Sequence, residues 1–216
     1  MDLDKIMSKH LTRAFDPNRS ISDATFSKFL AFLRSTPTSL NLQAWHFYVM
    51  SSTESKQRLA GCLGEMFEAG NRSKVITASH AIIFTTRAEV TESHLQNVFA
   101  QEDADGRFPE SDIRDGWQRS VHDFIAWHTY NFKDIPHWME KQTYMTVGLA
   151  MMAAAELGIE ALPLEGFDPH SVDAEFKIRE DGHTTTLLLA LGYPDLGKVS
   201  DKPISRLAAD QIFTYV

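Results

Sequence analysis

Four short segments of the chain combine charged or polar side chains with positions at which a helix or strand is expected to end. These segments are 9–15 (KHLTRAF), 36–47 (TPTSLNLQAWHF), 162–167 (LPLEGF) and 205–207 (SRL). Ligands are commonly bound on such loops, which rigid elements hold in place. The first and last segments carry Lys9, Arg13 and Arg206, whose cationic groups suit a phosphate or another negative charge. The chemistry that these segments permit is the binding of an anionic ligand.

The two middle segments add hydrogen-bonding groups and a glycine. Ser39 and Asn41 precede Trp45, an arrangement that suits a flat heteroaromatic ligand. Gly166 follows a predicted strand and would let the backbone approach a ligand closely. Each segment also has a simpler interpretation, because solvated helix ends and capping turns use the same residue types. The residues alone therefore do not identify the ligand.

The common catalytic motifs do not occur in the sequence. It contains no GxGxxG, GxxxxGKS, GxxxxGKT, GxSxG or HExxH pattern. Its closest pair of histidines, His122 and His128, is six residues apart and would not share one helical face. Cys62, the only cysteine, excludes an intrachain disulfide and lies in an apolar helical pattern typical of a core residue. We expect no metal site and no cysteine nucleophile.

Composition places the 216-residue chain among globular proteins of one domain. Hydrophobic residues make up 43% and charged residues 23% of the sequence, which disfavours disorder or a coiled coil. The net charge of −8 disfavours nucleic acid or an anionic membrane as a partner. No signal-peptide pattern is seen, and the longest apolar stretch, 147–155, is too short to span a membrane. We predict a single domain over 1–216, located in the cytoplasm.

Helical and strand patterns alternate along the chain. Ser22 is a candidate N-cap for a helix whose apolar face consists of Phe26, Phe29, Leu30 and Leu33. Strands are predicted at 46–51, 81–85, 159–164 and 184–191. Other helices are predicted at 2–11, 54–67, 71–78, 92–132 and 138–157, with a break near 105–109 in the fourth. Four or five strands within a helical majority predict an α+β architecture.

The last long helix and the C-terminal tail have patterns that are typical of segments in contact with a partner subunit. The helix 138–157 is apolar on nearly every side, which is typical of a core or subunit interface, and Gly158 is its expected C-cap. The tail to Val216 is predicted to leave the compact body. Its final residues, FTYV, could add a strand to a partner.

The order and spacing of the four segments resemble the FMN-dependent nitroreductase family, and most closely its oxygen-insensitive NAD(P)H nitroreductase and dihydropteridine reductase type. Further runs that carry the resemblance are NRSKVITASH (71–80), QEDADGRF (101–108), HWMEKQTYMTVG (137–148), PLEGFD (163–168) and DAEF (173–176). Together they cover nearly the whole chain. The resemblance implies an α+β nitroreductase-like fold: a central mixed sheet of about four or five strands surrounded by helices, in an intertwined homodimer with FMN at the interface.

The resemblance also implies which residues bind the cofactor. Lys9, His10 and Arg206 would hold the FMN phosphate, with Leu11, Thr12 and Ser205 beside them, and Arg13 would lie near the flavin N1 and O2. Asn71 would bond the pyrimidine edge, and Lys74 would join it in contacting the flavin or the nicotinamide cofactor. Pro163 would precede the backbone amides of Glu165 and Gly166 at N5 and O4. Ser39 and Asn41 would come from the partner subunit. Phe124 would cover the flavin face, and Arg107 lies in a segment attributed to the nicotinamide cofactor.

Five positions depart from the family pattern and bear on FMN affinity and substrate range. They are Leu11, Leu40, Glu68, Gly70 and Ile204, and Lys202 could compensate for the last. The implied reaction is a ping-pong reduction of nitroaromatics, and of quinones or flavins, by NADH or NADPH in two-electron hydride transfers through flavin N5. No catalytic side chain is required, and Arg13 and Glu165 would support the chemistry. The alternative is an FMN-binding reservoir or redox sensor with little turnover.

Overall fold

The computed structural model describes residues 14–198 and 203–216, so the helix predicted over 2–11 lies outside the described residues. In these ranges the helices are α1 Asp23–Arg34, α2 Thr53–Gly61, α3 Glu65–Thr77, α4 Glu92–Ala104, α5 Ser111–Ala126, α6 Ile135–Glu156, α7 Pro169–Glu175 and α8 Ala209–Ile212. The strands are β1 Trp45–Met50, β2 His80–Arg87, β3 Glu160–Leu164 and β4 His183–Gly192. A π-helix, Trp127–Phe132, continues α5.

The four strands form one sheet in the order β1-β2-β4-β3. Phe47 of β1 pairs with Phe84 of β2, and Leu162 of β3 pairs with Ala190 of β4. All three strand pairs are antiparallel, so the α+β class and four strands are confirmed. The expectation of a mixed sheet is wrong for the described residues, because no parallel pair occurs among them.

Both faces of the sheet are covered by helices. Successive residues of β2, such as Ile82 and Ile83, point to opposite faces of the sheet, and both are fully buried. One face packs against α1 and α6, and the other against α2, α3 and α7. The near-continuous apolar runs of β2 and β4 reflect this double burial.

Local signals account for most helix ends. Ser22 accepts a hydrogen bond from the Thr25 N–H at the start of α1, as predicted, which satisfies one of the free donors there. The prediction of a helix over 54–67 is wrong, because the chain turns at 62–64 and separates α2 from α3. Helix α6 begins at Ile135, three residues before its predicted start.

Two glycines end α4 and α6 in the same manner. Gly106 has φ 67° and Gly158 has φ 72°, a left-handed conformation that glycine adopts without a steric penalty. After α4, the N–H of Arg107 donates to the Glu102 carbonyl and that of Gly106 to the Asp103 carbonyl, the Schellman arrangement. The break predicted near 105–109 is therefore confirmed, and Gly158 caps α6 as predicted.

Residues 203–216 lie on the surface of the chain. Every one of them is exposed, including Leu207, Phe213 and Tyr215. The helix α8 is the one regular element in this range, and the residues FTYV form no strand there. The prediction that the tail leaves the compact body is confirmed for these residues.

Candidate functional site

Three of the predicted site residues meet at the end of β3. The Asn71 side chain, on α3, donates from Nδ2 to the Gly166 carbonyl oxygen at 2.7 Å. Lys74, one helical turn further along α3, donates from Nζ to Asn71 Oδ1 at 2.9 Å. The spacing of three residues places both side chains on one helical face. An amide, a cation and a strand end are thereby brought into contact.

The Cα of Gly166 is closely packed against two side chains of α3. A Cβ added to Gly166 would lie 2.7 Å from Asn71 Nδ2 and 2.9 Å from Phe67 Cδ1, so the position has no room for a side chain. Within the described residues, the N–H groups of Glu165 and Gly166 donate to no acceptor. Two adjacent backbone donors without a described acceptor thus lie at the end of β3.

The Glu165 carboxylate is held by a tyrosine on α6. Tyr144 donates its hydroxyl to Glu165 Oε1 at 2.9 Å. Burial, followed by the hydrogen bond and the negative charge of Glu165, raises the pKa of Tyr144 to about 12. Tyr144 therefore remains a hydrogen-bond donor over the physiological pH range. We call Asn71, Lys74, Tyr144, Glu165 and Gly166 the strand-end cluster.

A second group of predicted residues lies in the loop before β1. Leu40, Asn41 and Gln43 all have positive φ, at 57°, 54° and 50°. A left-handed conformation costs a residue other than glycine about 1–2 kcal/mol, so neighbouring contacts must offset the strain. The Ser39 N–H donates to Gln142 Oε1 of α6 at 3.0 Å, and Gln43 Nε2 lies 3.2 Å from Asn41 Oδ1.

The same loop is attached to a buried carboxylate. Asn41 Nδ2 donates to Glu102 Oε1 at 2.8 Å, and Trp117 Nε1 donates to Glu102 Oε2 at 3.1 Å. Arg107 Nε lies 3.4 Å from Glu102 Oε1. Glu102 is only 4% exposed, whereas the Arg107 side chain is 47% exposed. We call Asn41, Glu102, Arg107 and Trp117 the loop cluster.

Phe124 lies beside this cluster in an aromatic environment. Its ring centroid is 4.9 Å from that of His128 and 5.7 Å from that of Trp138. It also borders an open groove of about 640 Å³, which Trp127 and Tyr130 line. Trp127 and Tyr130 are 48% and 74% exposed. Phe124 is thus half-buried at the edge of a surface that could receive a flat ring.

The two clusters lie on opposite sides of α6. Gln142 contacts the loop through Ser39, and Tyr144 contacts Glu165 at the strand end. Residues two apart in a helix are rotated by about 200°, so these side chains point in nearly opposite directions. Within one chain the predicted residues therefore form two separate groups.

The remaining predicted residues divide into three sets. Lys9, His10, Leu11, Thr12 and Arg13 lie outside the described residues, as does Lys202. Pro163 is part of β3 and pairs with Leu189. Ser205 and Arg206 lie in the exposed tail, where Arg206 donates to the Ser205 carbonyl at 2.7 Å and has no described contact with either cluster.

Four contributors were missed by reasoning from the sequence: Glu102, Trp117, Gln142 and Tyr144. All but Trp117 lie in a run that carried the resemblance, QEDADGRF or HWMEKQTYMTVG, but nothing in those runs shows that a carboxylate would be buried. Only the packing of α4, α5 and α6 provides that information.

The remaining sequence predictions concern Cys62, metal ligands and membrane spans. Cys62 is 7% exposed and burial raises the pKa of its thiol, which confirms it as a core residue. Within 14–198 and 203–216, no group of three or more His, Cys, Asp or Glu residues could hold a metal ion. No helix in these ranges is both long and apolar enough to cross a membrane.

The chain belongs to the nitroreductase family, whose model matches residues 6–193. It is 33% identical over 211 residues to the oxygen-insensitive NAD(P)H nitroreductase of Salmonella typhimurium, with 97% of each chain covered. It is 32% identical over 209 residues to the protein of the same name from Enterobacter cloacae, with 96% of each covered.

A solved structure shares the fold over the whole chain. A protein from Exiguobacterium sibiricum, assigned as a nitroreductase and solved in complex with FMN, matches with a TM-score of 0.84 and 20% sequence identity. The match covers 100% of this chain and 98% of that one. The nitroreductase-like fold predicted from the sequence is thus confirmed.

The packing around Gly166 predicts the effect of adding one methyl group. Gly166→Ala should reduce the free energy of unfolding by about 1–3 kcal/mol, because Asn71 and Phe67 must move away. Urea unfolding measures this change. Gly61→Ala is the matched control, since no atom lies within 4 Å of its added Cβ, and it should change stability by less than about 0.5 kcal/mol. An unchanged stability in Gly166→Ala would show that the cluster is not closely packed.

The Tyr144–Glu165 hydrogen bond predicts a pH dependence. Folding raises the pKa of Tyr144 from 10.0 to about 12. The corresponding contribution to the free energy of unfolding is present below pH 10 and is lost as the pH rises towards 12. In a phenolate absorbance titration, Glu165→Gln should lower the pKa of Tyr144 but not return it to 10.0, because burial remains. Tyr48, whose pKa is also raised to about 12 by burial and by Asp181, is the internal control and should not move. A pKa of Tyr144 in Glu165→Gln that is unchanged from the wild-type protein would contradict this contact.

Proposed function

We propose that the chain is an FMN-dependent NAD(P)H oxidoreductase that reduces nitroaromatic compounds, and also quinones or flavins, by two-electron ping-pong transfer. Its family membership and its 33% identity to an oxygen-insensitive NAD(P)H nitroreductase over 97% of the chain support this activity. The FMN bound by the fold neighbour from Exiguobacterium sibiricum supports the cofactor. The chain would act as one domain over 1–216, and its single cysteine is consistent with a cytoplasmic location.

The observation that carries the proposal is the donor set of the strand-end cluster. After bonding to Gly166 and Lys74, the Asn71 amide retains one N–H and one lone pair. The N–H groups of Glu165 and Gly166 add two donors without acceptors among the described residues. A flavin ring presents carbonyl oxygens and ring nitrogens along one edge. These residues therefore fit a flavin better than a metal ion or a phosphate alone.

FMN, when bound, supplies the two-electron chemistry that these side chains lack. The residues of the chain bind and orient the ring and stabilise charge. The ammonium group of Lys74 places positive charge beside Asn71, where it would stabilise negative charge on the pyrimidine edge. Glu165 contributes mainly through its backbone N–H, because its carboxylate accepts the Tyr144 hydroxyl. Lys9, His10 and Arg206 are proposed to hold the phosphate, and Arg13 to lie near N1 and O2.

A complete site is proposed to need a second copy of the chain. Ser39 and Asn41 lie across α6 from the strand-end cluster, so they would reach a flavin bound there only from another protomer. Helix α6 exposes an apolar face formed by Tyr144, Met145, Met151 and Met152. Large apolar surface of this kind is typical of an interface. The exposed apolar tail, with Leu207 and Phe213, supports an intertwined homodimer in the same way.

The first experiment is an anaerobic visible spectrum of the purified protein. We expect flavin absorption that bleaches on addition of NADH or NADPH and returns with nitrofurazone, because the reduced cofactor passes two electrons to the nitro group. The more effective donor in this titration gives the nicotinamide preference. Bound flavin that does not bleach would favour the alternative of an FMN reservoir or redox sensor. A colourless protein that does not bind added FMN would contradict the proposed function.

The dimer proposal is tested at the exposed face of α6. Met145→Glu should convert the protein from dimer to monomer and reduce its FMN content, because a charge would be buried in the interface. Sedimentation velocity and flavin absorbance measure the two effects. Met66→Glu is the control, since Met66 is 85% exposed on α3. A wild-type monomer with full FMN content would show that one chain suffices for the site.

A further inference from the structure

Glu102 joins three parts of the chain that are far apart in sequence. It lies on α4, and its oxygens accept from Asn41 in the loop before β1 and from Trp117 on α5. Arg107, which follows the glycine turn at the end of α4, is 3.4 Å away. Glu102 is only 4% exposed. Its carboxylate oxygens therefore depend on these protein donors for their hydrogen bonds. The loop cluster is therefore a fixed arrangement and not a surface contact.

The contact determines which way the Asn41 amide faces. A carboxylate only accepts hydrogen bonds, so Asn41 must turn its NH₂ group towards Glu102. Its carbonyl oxygen then points elsewhere and accepts from Gln43 Nε2 at 3.2 Å. Without an acceptor at position 102, only the longer Gln43 contact among those described would favour this orientation of the amide. Glu102 thus sets both the place and the polarity of this side chain.

The backbone around Asn41 needs the same restraint. Leu40, Asn41 and Gln43 hold left-handed conformations. The Asn41 N–H donates to the Thr38 carbonyl, and that of Gln43 to Thr38 Oγ1, both at 3.1 Å. Such a strained loop persists only where surrounding contacts fix it. Of the contacts described for the Asn41 side chain, the 2.8 Å hydrogen bond to Glu102 is the shortest.

We propose that Glu102 is a positioning residue that holds Asn41 in the loop conformation and amide orientation that bind FMN. It acts through Asn41 and does not itself contact the cofactor. This inference rests on the proposed function, because Asn41 is a flavin ligand only if FMN binds. Its test therefore includes one measurement made without flavin.

The first measurement is amide hydrogen exchange of residues 38–43 in the flavin-free protein. Glu102→Leu, which keeps the bulk but removes both acceptors, should make this segment exchange faster. Glu102→Gln keeps an acceptor for Asn41 and should restore slow exchange. Asp103→Leu is the matched control, since Asp103 is the exposed neighbour on the same helix. Exchange in Glu102→Leu that equals wild type would overturn the proposal.

The second measurement is a double-mutant cycle of FMN affinity, followed by flavin fluorescence. Glu102→Leu should bind FMN up to about tenfold more weakly, which is the loss expected when one hydrogen bond from Asn41 to the flavin is no longer made. The double variant Asn41→Ala with Glu102→Leu should bind no more weakly than Asn41→Ala alone, because Glu102 acts through Asn41. Additive losses would overturn the proposal, since they would give Glu102 an effect independent of Asn41.

The outcomes separate this inference from the proposed function. Wild-type protein that binds no FMN would remove the proposed function and, with it, the role of Asn41 towards flavin. Faster exchange in Glu102→Leu together with a non-additive loss of affinity supports the inference. If Glu102→Leu does not fold, Glu102→Asp replaces it, because the shorter side chain keeps the charge but withdraws the oxygens from Asn41. The same two results are then expected.

Discussion

The packing of α6 against the sheet is the constraint on which the arrangement of the candidate site depends. Ala150, Ala153 and Ala154 are buried against the sheet together with Val147, and small side chains let the helix approach closely. Once that face of the helix is fixed, its rotation about its own axis is fixed as well. Gln142 must then point towards the loop before β1, and Tyr144 towards the end of β3.

This geometry links the fold to the proposed dimer. Helix α6 separates the strand-end cluster from the loop before β1, so the two groups of proposed ligand-binding residues do not meet within one chain. Its exposed face, with Met145 and Met152, lies where a second copy would pack. Burial of the same apolar surface would thus stabilise the dimer and complete the flavin site. Binding of the cofactor and association of the chains would be coupled through one helix.

The two clusters differ in the way they are held. At the strand end, Gly166 has no space for a side chain, so the backbone position depends on close packing against Phe67 and Asn71. In the loop, the backbone is strained and depends on hydrogen bonds to Glu102 and Gln142. A substitution at the first cluster would therefore act through volume, and one at the second through the loss of an acceptor.

Much of the fold could be predicted from the sequence because it depends on local patterns. The N-cap at Ser22, the turn at Gly106 and the apolar runs of β2 and β4 each follow from neighbouring residues, and the structure confirms them. The separation of α2 from α3 could not be predicted in this way. The pattern over 54–67 is typical of one helix, whereas in the structure Gly64 has φ 78° at the turn and both helices pack on the sheet.

The sequence by itself determined the family and the α+β class, and it predicted Asn71, Lys74 and Gly166 as neighbours of a ligand. Only the tertiary structure decided that these residues meet, that the loop before β1 lies on the other side of α6, and that Glu102 is buried. The physical reason is that periodicity and turn residues report on local conformation. Burial of a charged group, by contrast, depends on donors from Asn41, Arg107 and Trp117, which only the packing of separate elements brings together.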